Sequence, residues 1–461
     1  MSLKIALVNV GFGPEEKMVG ISPPLGILHI GAYLRENSFD VNLFDWSGEP
    51  LDEQHKAALK RFRPHIVGIT VMISSSIMRA VTVSRWAKEN GAIVVWGGPG
   101  PTSLPELCLR QAPVDFVVIG EGEETMLDLC RSIEENADFI RVNGIAFLRH
   151  NEFIMTQARK RISKLDDLPL PMWDGLGDLR KYAIPFYGRN SLPISTSRGC
   201  PNTCTFCYTK KMWGYTWCGK SAKRIVEEIE KISQIEPSIN AFSFEDDLFV
   251  KDVRRVYDFC KIVKEKNLDI LWNCGARAKD LDPNLLKEMR EAGCRQILIG
   301  VESGSQRILD LMKKGITIDE IRKAFEMVQR AGIDAFAFIM LGLPNETRSE
   351  LKATEKLLKK MRPDGVEFKV YMPYPGTEMF EVVKRNGFEE PDSLIEWDKR
   401  SDVLLPAIYE RNFSEASAEE IMKMVERIQR FVRLRNYWKE FSKNPFTSPV
   451  RALRFVVRVH S

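Results

Sequence analysis

Histidine is scarce, with five copies in 461 residues. None falls near the chain's one dense group of cysteines, which argues against a mixed Cys/His zinc knuckle there. No stretch of eighteen apolar residues occurs, so no spanning helix is expected. Sequence repeats and low-complexity segments are absent, which excludes a solenoid or a disordered linker protein. Charge of either sign is not in excess: 67 Lys and Arg face 63 Asp and Glu, a net +4, so no nucleic-acid partner is expected. The basic surplus is local. From Ile421 to Ser461 ten Lys and Arg face only Glu426 and Glu440. Nine cysteines, an odd number, fit reduced thiols better than a disulfide framework. The opening "MSLKIALVNVGFGP" reads as a first strand rather than a secretion signal. A cytoplasmic location is the expectation.

Residues 4–135 alternate short apolar runs with longer amphipathic stretches. Strands are expected at 4–10, 41–46, 65–70, 92–97 and 115–120, with helices near 25–36, 76–90 and 123–135. That alternation predicts a doubly wound parallel sheet, whose ligands sit at the C-terminal strand ends. A connector rich in Pro, Gly and Asp follows, opening with a hairpin. A second series then places strands at 193–197, 241–245, 270–274, 296–301, 335–341 and 366–371, with helices between them. Six βα units at this period predict a partial barrel. The fold class is therefore α/β: a Rossmann-like domain (1–140), a connector (141–190), a partial (βα)6 TIM-like barrel (191–400) and a helical basic C-terminal region (401–461).

"SRGCPNTCTFCY" (197–208) puts Cys200, Cys204 and Cys207 directly after the first barrel strand, where such barrels carry their chemistry. Structural zinc wants four ligands, and Cys218 is the candidate for the fourth. Three thiolates suit an iron–sulfur cubane better, since they anchor three irons and leave the fourth open to a substrate or cofactor.

The segment "CPNTCTFC" resembles the C-x₃-C-x-Φ-C signature of the radical S-adenosylmethionine (SAM) enzymes. The resemblance implies that Cys200, Cys204 and Cys207 hold a [4Fe-4S] cluster, that SAM chelates its open iron, and that Phe206 lies beside the adenine. It also implies SAM contacts for Glu245 or Asp246 in "FSFEDDLF", Arg277 in "WNCGARA", and Glu302 and Ser303 in "IGVESGS". The family's common Gly-Gly-Glu stands here as Glu245-Asp246-Asp247, which leaves the acid that serves undecided. Cys260, Cys274 and Cys294 read as core.

The first domain lacks a complete G-x-G-x-x-G after its first strand. Its "PPLGILHIGAYLREN", "VVWGGPGPT" and "FVVIGEGEET" resemble instead the cobalamin-binding domains that precede the barrel in a large radical SAM class. Carried over, Ser74, Gly97, Gly98, Thr102, Gly120, Glu121, Gly122 and Glu123 would line the channel of the cobalamin tail. The Asp-x-His-x-x-Gly of histidine-donating cobalamin proteins is replaced here by Asn9-Val10-Gly11-Phe12-Gly13. Cobalamin without a protein histidine on cobalt is therefore expected.

The resemblance implies an enzyme, most naturally a methyltransferase acting on an unactivated carbon through a 5′-deoxyadenosyl radical and methylcobalamin. The alternatives are a radical oxidative cyclase or ring-rearranging enzyme acting on a tetrapyrrole or lipid, and a non-catalytic iron–sulfur or zinc module. The expected partners are a small-molecule or lipid-like substrate and an electron donor of the flavodoxin or ferredoxin type. Aromatics in 208–220 and 371–380 point to a bulky, ring-bearing substrate. In the tail, Ile421, Met424, Val425, Ile428 and Val432 form an apolar helical stripe. "PVRALRFVVRVH" sets Arg451, Arg454 and Arg458 beside apolar residues. Two readings stand for this region: peripheral contact with an anionic membrane, or a helical cap on the barrel.

Overall fold

Strands that are apolar at nearly every position need cover on both faces, and three such runs pair side by side at the centre of a sheet. In the computed structural model, which describes residues 3–400 and 405–443, β1 (Lys4–Asn9) lies between β2 (Asp40–Asp45) and β3 (Ile66–Thr70). Next come β4 (Ile93–Gly97) and β5 (Phe116–Val118), all parallel. The order 2-1-3-4-5 reverses between β1 and β3, the switch point at which open α/β sheets take ligands. The expected hairpin, β6 (Ile145–Arg149) and β7 (Glu152–Met155), extends this sheet by two antiparallel strands instead of standing apart in the connector.

Helices Leu25–Glu36, Ser76–Glu89 and Glu123–Glu134 stand where the periodicity put them. The sequence reading passed over two further helical stretches. Glu53–Phe62 is closed by an Asp52/His55 capping box. Pro99–Ser103 and Pro105–Gln111 each begin on a proline, a residue that breaks a helix interior but suits its first position.

The chain divides into two compact units. The first holds Met1–Gly275, Glu291–Gly293 and Met372–Asp402, and so contains the whole of this sheet. It also contains β8 (Ile184–Phe186), β9 (Arg189–Ile194), the two-residue ladder of β10 (Ser197–Arg198) with β11 (Cys218–Gly219), then β12 (Ile239–Phe244) and nearly all of β13 (Leu271–Ala276). Strands β9, β12 and β13 run parallel, and β8 pairs antiparallel to β9. Their core is aromatic. Phe244 stacks on Phe249 at 4.6 Å between ring centroids, and Trp272 and Phe259 close in on both.

The second unit holds Ala276–Arg290, Cys294–Tyr371 and Val403–Ser461. Its strands β14 (Cys294–Glu302), β15 (Asp334–Leu341) and β16 (Gly365–Val370) are parallel neighbours. Thr317/Glu320 and Thr347/Glu350 capping boxes start two of its helices. Helix Ala418–Lys443 buries Ile421, Met424, Val425 and Ile428 almost completely. Three of its basic residues are paired within the same unit: Arg427 with Glu355, and Arg435 and Lys439 with Asp364. This part of the tail is a cap. The segment "PVRALRFVVRVH" lies outside the described residues. Among the described residues no helix is long and apolar enough to cross a membrane.

Candidate active site

The cysteine loop is held at both ends by two adjacent carboxylates. Asp246, at the end of β12, takes hydrogen bonds from the Thr196 and Ser197 backbone amides at 2.6 and 3.0 Å and from both hydroxyls at 2.5 and 2.7 Å. Buried Arg255 stands 3.7 Å behind it. Asp246 was expected at SAM, but its oxygens are committed to the strand that launches the loop.

Asp247 accepts from the Gly199 amide at 3.1 Å and from Thr209 Oγ1 at 3.2 Å, spanning the loop from its entry to the helix that ends it. Burial and neighbouring Asp246 push its pKa up, against those two hydrogen bonds. Gly199 has φ +84°, and a Cβ there would meet the Thr216 carbonyl oxygen at 2.3 Å. Only glycine fits.

Between these anchors Cys200, Cys204 and Cys207 are partly exposed and joined in no disulfide. Asn202 Nδ2 donates to Cys200 Sγ at 3.0 Å, and Cys207 Sγ lies 3.0 Å from Thr209 Oγ1. Cys218 donates its thiol to the Ile162 carbonyl at 3.3 Å, so it is engaged elsewhere than with the triplet. Among the described residues no three His, Cys, Asp or Glu side chains are grouped to hold a single metal ion. A cubane does not need that convergence, because each thiolate binds a different iron. The donor set fits a [4Fe-4S] cluster. Cys260, Cys274 and Cys294 are fully buried, as expected of core.

A cavity of about 500 Å³ opens above the C-terminal ends of β1, β3 and β4. One wall is the first sheet and its loops: Gly97, Gly98, Gly120, Glu121, Gly122 and Glu123, all expected there. The other wall belongs to the cysteine loop and its neighbours: Ser197, Arg198, Tyr208, Trp213, Glu245 and Asp247. Both walls lie in the first unit. Glycine at 97 and 120 leaves the main chain open to close approach, whereas at 98 and 122 it lets Val71 and Ile30 pack against the backbone. The chamber fits a large ligand on the sheet side.

Four expected residues have other roles. Thr102 Oγ1 accepts from the Gly120 amide at 3.1 Å and so shapes a wall loop from behind. Ser74 and Ser76 bond each other, and Ser76 rather than Ser74 faces the cavity. Glu121 and Glu123 are not open acceptors. Arg198 NH1 meets Glu121 at 2.8 Å and NH2 meets Glu123, with all three side chains buried. Burial works against the charge of Arg198, but the two carboxylates outweigh it and raise its pKa.

Phe206 is partly exposed on the loop. In the second unit, Glu302 pairs with Lys314 at 2.5 Å, and Arg277 donates to the Lys314 carbonyl. Glu302 adopts a left-handed φ of +63° at its strand end, a strained conformation of the kind that gathers at functional sites. Ser303 is fully buried, with its Oγ 3.4 Å from Thr354 Oγ1.

The sequence reading missed Arg198, His29 and Gly68 at this cavity, while Asp247 was one of three acids it left open and Tyr208 lay in a loop it gave to the substrate. Gly68 had a signal, since a glycine inside an apolar strand marks a close approach. Arg198 and His29 had none, because a single charged or aromatic residue beside a motif is usually surface or core.

Comparison with known proteins gives the family. Residues 194–358 match the Radical SAM superfamily model and residues 16–130 the B12 binding domain model. An uncharacterized methyltransferase of Pyrococcus horikoshii is 32% identical over 472 residues, 99% of each chain. The chain belongs to the cobalamin-binding radical SAM family.

The anaerobic magnesium-protoporphyrin IX monomethyl ester cyclase of Rubrivivax gelatinosus is 31% identical over 79% of this chain and 67% of its own. The radical SAM methyltransferase TsrM from Kitasatospora setae, solved with cobalamin and a [4Fe-4S] cluster bound, shares the fold. Its TM-score is 0.68 at 18% identity, over 87% of this chain and 85% of that one. The expected fold class therefore stands, a parallel-sheet cobalamin-binding domain followed by a radical SAM half-barrel. This family member is a radical SAM enzyme, and its cofactors are a [4Fe-4S] cluster, SAM and cobalamin.

Proposed function

We propose that the protein is a cobalamin-dependent radical SAM methyltransferase that methylates an unactivated carbon of a small molecule. The observation that carries this reading is the single chamber, walled on one side by the cobalamin-type sheet and on the other by Ser197, Arg198 and Tyr208, which flank the three cysteines, with Glu245 and Asp247. When bound, the cluster and SAM supply a 5′-deoxyadenosyl radical, and cobalamin supplies the methyl carrier. A substrate between the two walls would face both at once, which is what proximity requires of a two-cofactor transfer. Similarity to a protein named as a methyltransferase along its full length supports the same reading.

In this proposal Cys200, Cys204 and Cys207 hold the cluster, and Phe206 flanks the adenine. Glu245, which faces the chamber, meets the SAM amino group, while Asp246 and Asp247 brace the loop. Gly97 and Gly120 let the corrinoid approach the main chain. Arg198, Trp213 and the apolar lining exclude water from the chamber. The electron comes from a flavodoxin- or ferredoxin-type donor. Contact with an anionic membrane is proposed only for the basic stretch beyond residue 440. Liposome flotation of the full chain against a 440–461 deletion checks it.

Similarity to the Rubrivivax cyclase favours one second reading, a radical oxidation or ring closure without methyl transfer. Anaerobic reconstituted enzyme with methyl-labelled SAM and cell extracts separates the two. Label in a new product, with 5′-deoxyadenosine and S-adenosylhomocysteine formed together, supports methyl transfer. 5′-Deoxyadenosine alone, with no label transferred, overturns it in favour of the cyclase-type reaction.

A further inference from the structure

The chamber has an inner end. Leu7, Gly68, Val95 and Val118 lie within β1, β3, β4 and β5 rather than in the loops beyond them, and all four line the cavity. Opposite them stand Ile30 and His29 of helix Leu25–Glu36, and Met126 of helix Glu123–Glu134. The cavity therefore continues between the sheet and its covering helices. Gly68 keeps this part open: a Cβ there would lie 2.8 Å from Leu7 Cδ2. Six of these seven residues are apolar or glycine, so the inner end suits a flat hydrocarbon-like group.

The seventh is His29, and nothing in the protein explains it. Its residue exposure is 7%, and its Nδ1 is buried with no hydrogen-bond partner among the described residues. An unmet buried ring nitrogen costs about 1–3 kcal/mol, a cost that a protein carries where a ligand relieves it. The groups facing the ring are cations. Burial first, then Lys220, Arg198 and Arg224, drive its pKa well below the usual histidine value. The ring is therefore neutral, with one N–H to give and one lone pair to receive.

Cobalamin is the ligand the domain binds, and its shape has two parts. The corrin is broad and fringed with amides. The lower-base arm is narrow and ends in dimethylbenzimidazole, a flat, apolar bicycle with one unsubstituted ring nitrogen when it is off the cobalt. An apolar slot with one neutral imidazole in its wall matches that arm and not the corrin. We propose that His29 reads the lower base of the corrinoid, its imidazole N–H donating to the base's ring nitrogen, and so selects benzimidazole-type cobamides over those whose lower ligand lacks such a nitrogen. This rests on cobalamin occupying the chamber, and it makes His29 a specificity residue remote from the reacting atoms.

The test measures binding to anaerobically reconstituted full-length enzyme by equilibrium dialysis. The probes are hydroxocobalamin and a cobamide with p-cresol as its lower ligand. Only hydroxocobalamin must release its base from cobalt, a cost common to every variant, so the readout is the ratio of the two affinities in each variant against that in wild type. H29F is expected to shift this ratio about three- to tenfold toward the cresol cobamide, the value of one neutral hydrogen bond, while binding the cresol cobamide as wild type does, and H29Q, which keeps a donor, to shift it less. Iron content per chain reports that each variant is folded. The same ratio in H29F as in wild type overturns the inference whatever happens to activity. Imidazole nitrogen hyperfine splitting in the Co(II) spectrum that vanishes in H29F also overturns it, by placing the ring on cobalt. Wild type that binds neither corrinoid overturns it together with the cobalamin reading of the chamber, a failure distinguishable from the other two.

Discussion

Arg198, in the strand that leads into the cysteine loop, and Glu123, in the first turn of a helix of the cobalamin-binding domain, form an ion pair with side chains only 10% and 4% exposed. Glu121 shares the same guanidinium. Removing the cation leaves two carboxylates in a buried setting, whereas removing one carboxylate leaves the arginine a partner. R198M is therefore expected to destabilise the protein by about 3–5 kcal/mol, and E123Q by clearly less. Thermal unfolding of both variants checks the asymmetry. Equal effects would mean that the three side chains do not act as a unit.

The cysteines are expected to separate the two cofactors. C204A should lose nearly all iron and sulfide on reconstitution, while its affinity for hydroxocobalamin stays close to that of wild type, since no cysteine lines the sheet side of the chamber. Metal analysis and corrinoid titration of the same sample read both quantities. Joint loss would show that the loop depends on its cluster to keep the chamber open.

G199A brings a Cβ to 2.3 Å from a backbone oxygen in a left-handed conformation. Neither neighbour is a flexible side-chain tip that could move aside. A loss of about 2 kcal/mol or more is expected, with cluster occupancy reduced in proportion. G177A, also at positive φ but with nothing within 4 Å of the added carbon, carries only the backbone cost and serves as the comparison.

Glu346 gives the pH dependence. It is 2% exposed, its Oε2 has no partner, and burial and Glu350 push its pKa up to about 8, against Ser303 and Arg307. The folded state thus holds a proton that the unfolded chain releases near pH 4.5, so stability falls as pH rises from about 4.5 to 8. E346Q removes the titration. Its unfolding temperature should vary less than that of wild type across this window and exceed it at pH 8. A parallel pair of profiles would remove Glu346 from the account.

The fold was readable because its strands are short apolar runs set at βα spacing, and periodicity survives any tertiary context. The cysteine loop was readable because three thiols in eight residues have few uses. What the sequence hid was the direction in which side chains point. Glu245, Asp246 and Asp247 are consecutive carboxylates, and only the turn after β12 decides that the second and third brace the loop while the first is left to the chamber. Glu121 and Glu123 look like open acceptors until Arg198, some 75 positions away, is brought against them. Proline-led helices at 99 and 105 were hidden for a related reason, since the residue that stops a helix is the same one that can begin it.

Asp246 and Asp247 fasten the cysteine loop with protein-to-protein bonds that involve no iron. The cradle is thus built from the chain's own hydrogen bonds, and the folded chain is expected to take up metal after it has formed. An enzyme whose cluster has been stripped by oxygen keeps its mould, and supplying iron and sulfide should refill it without a round of unfolding.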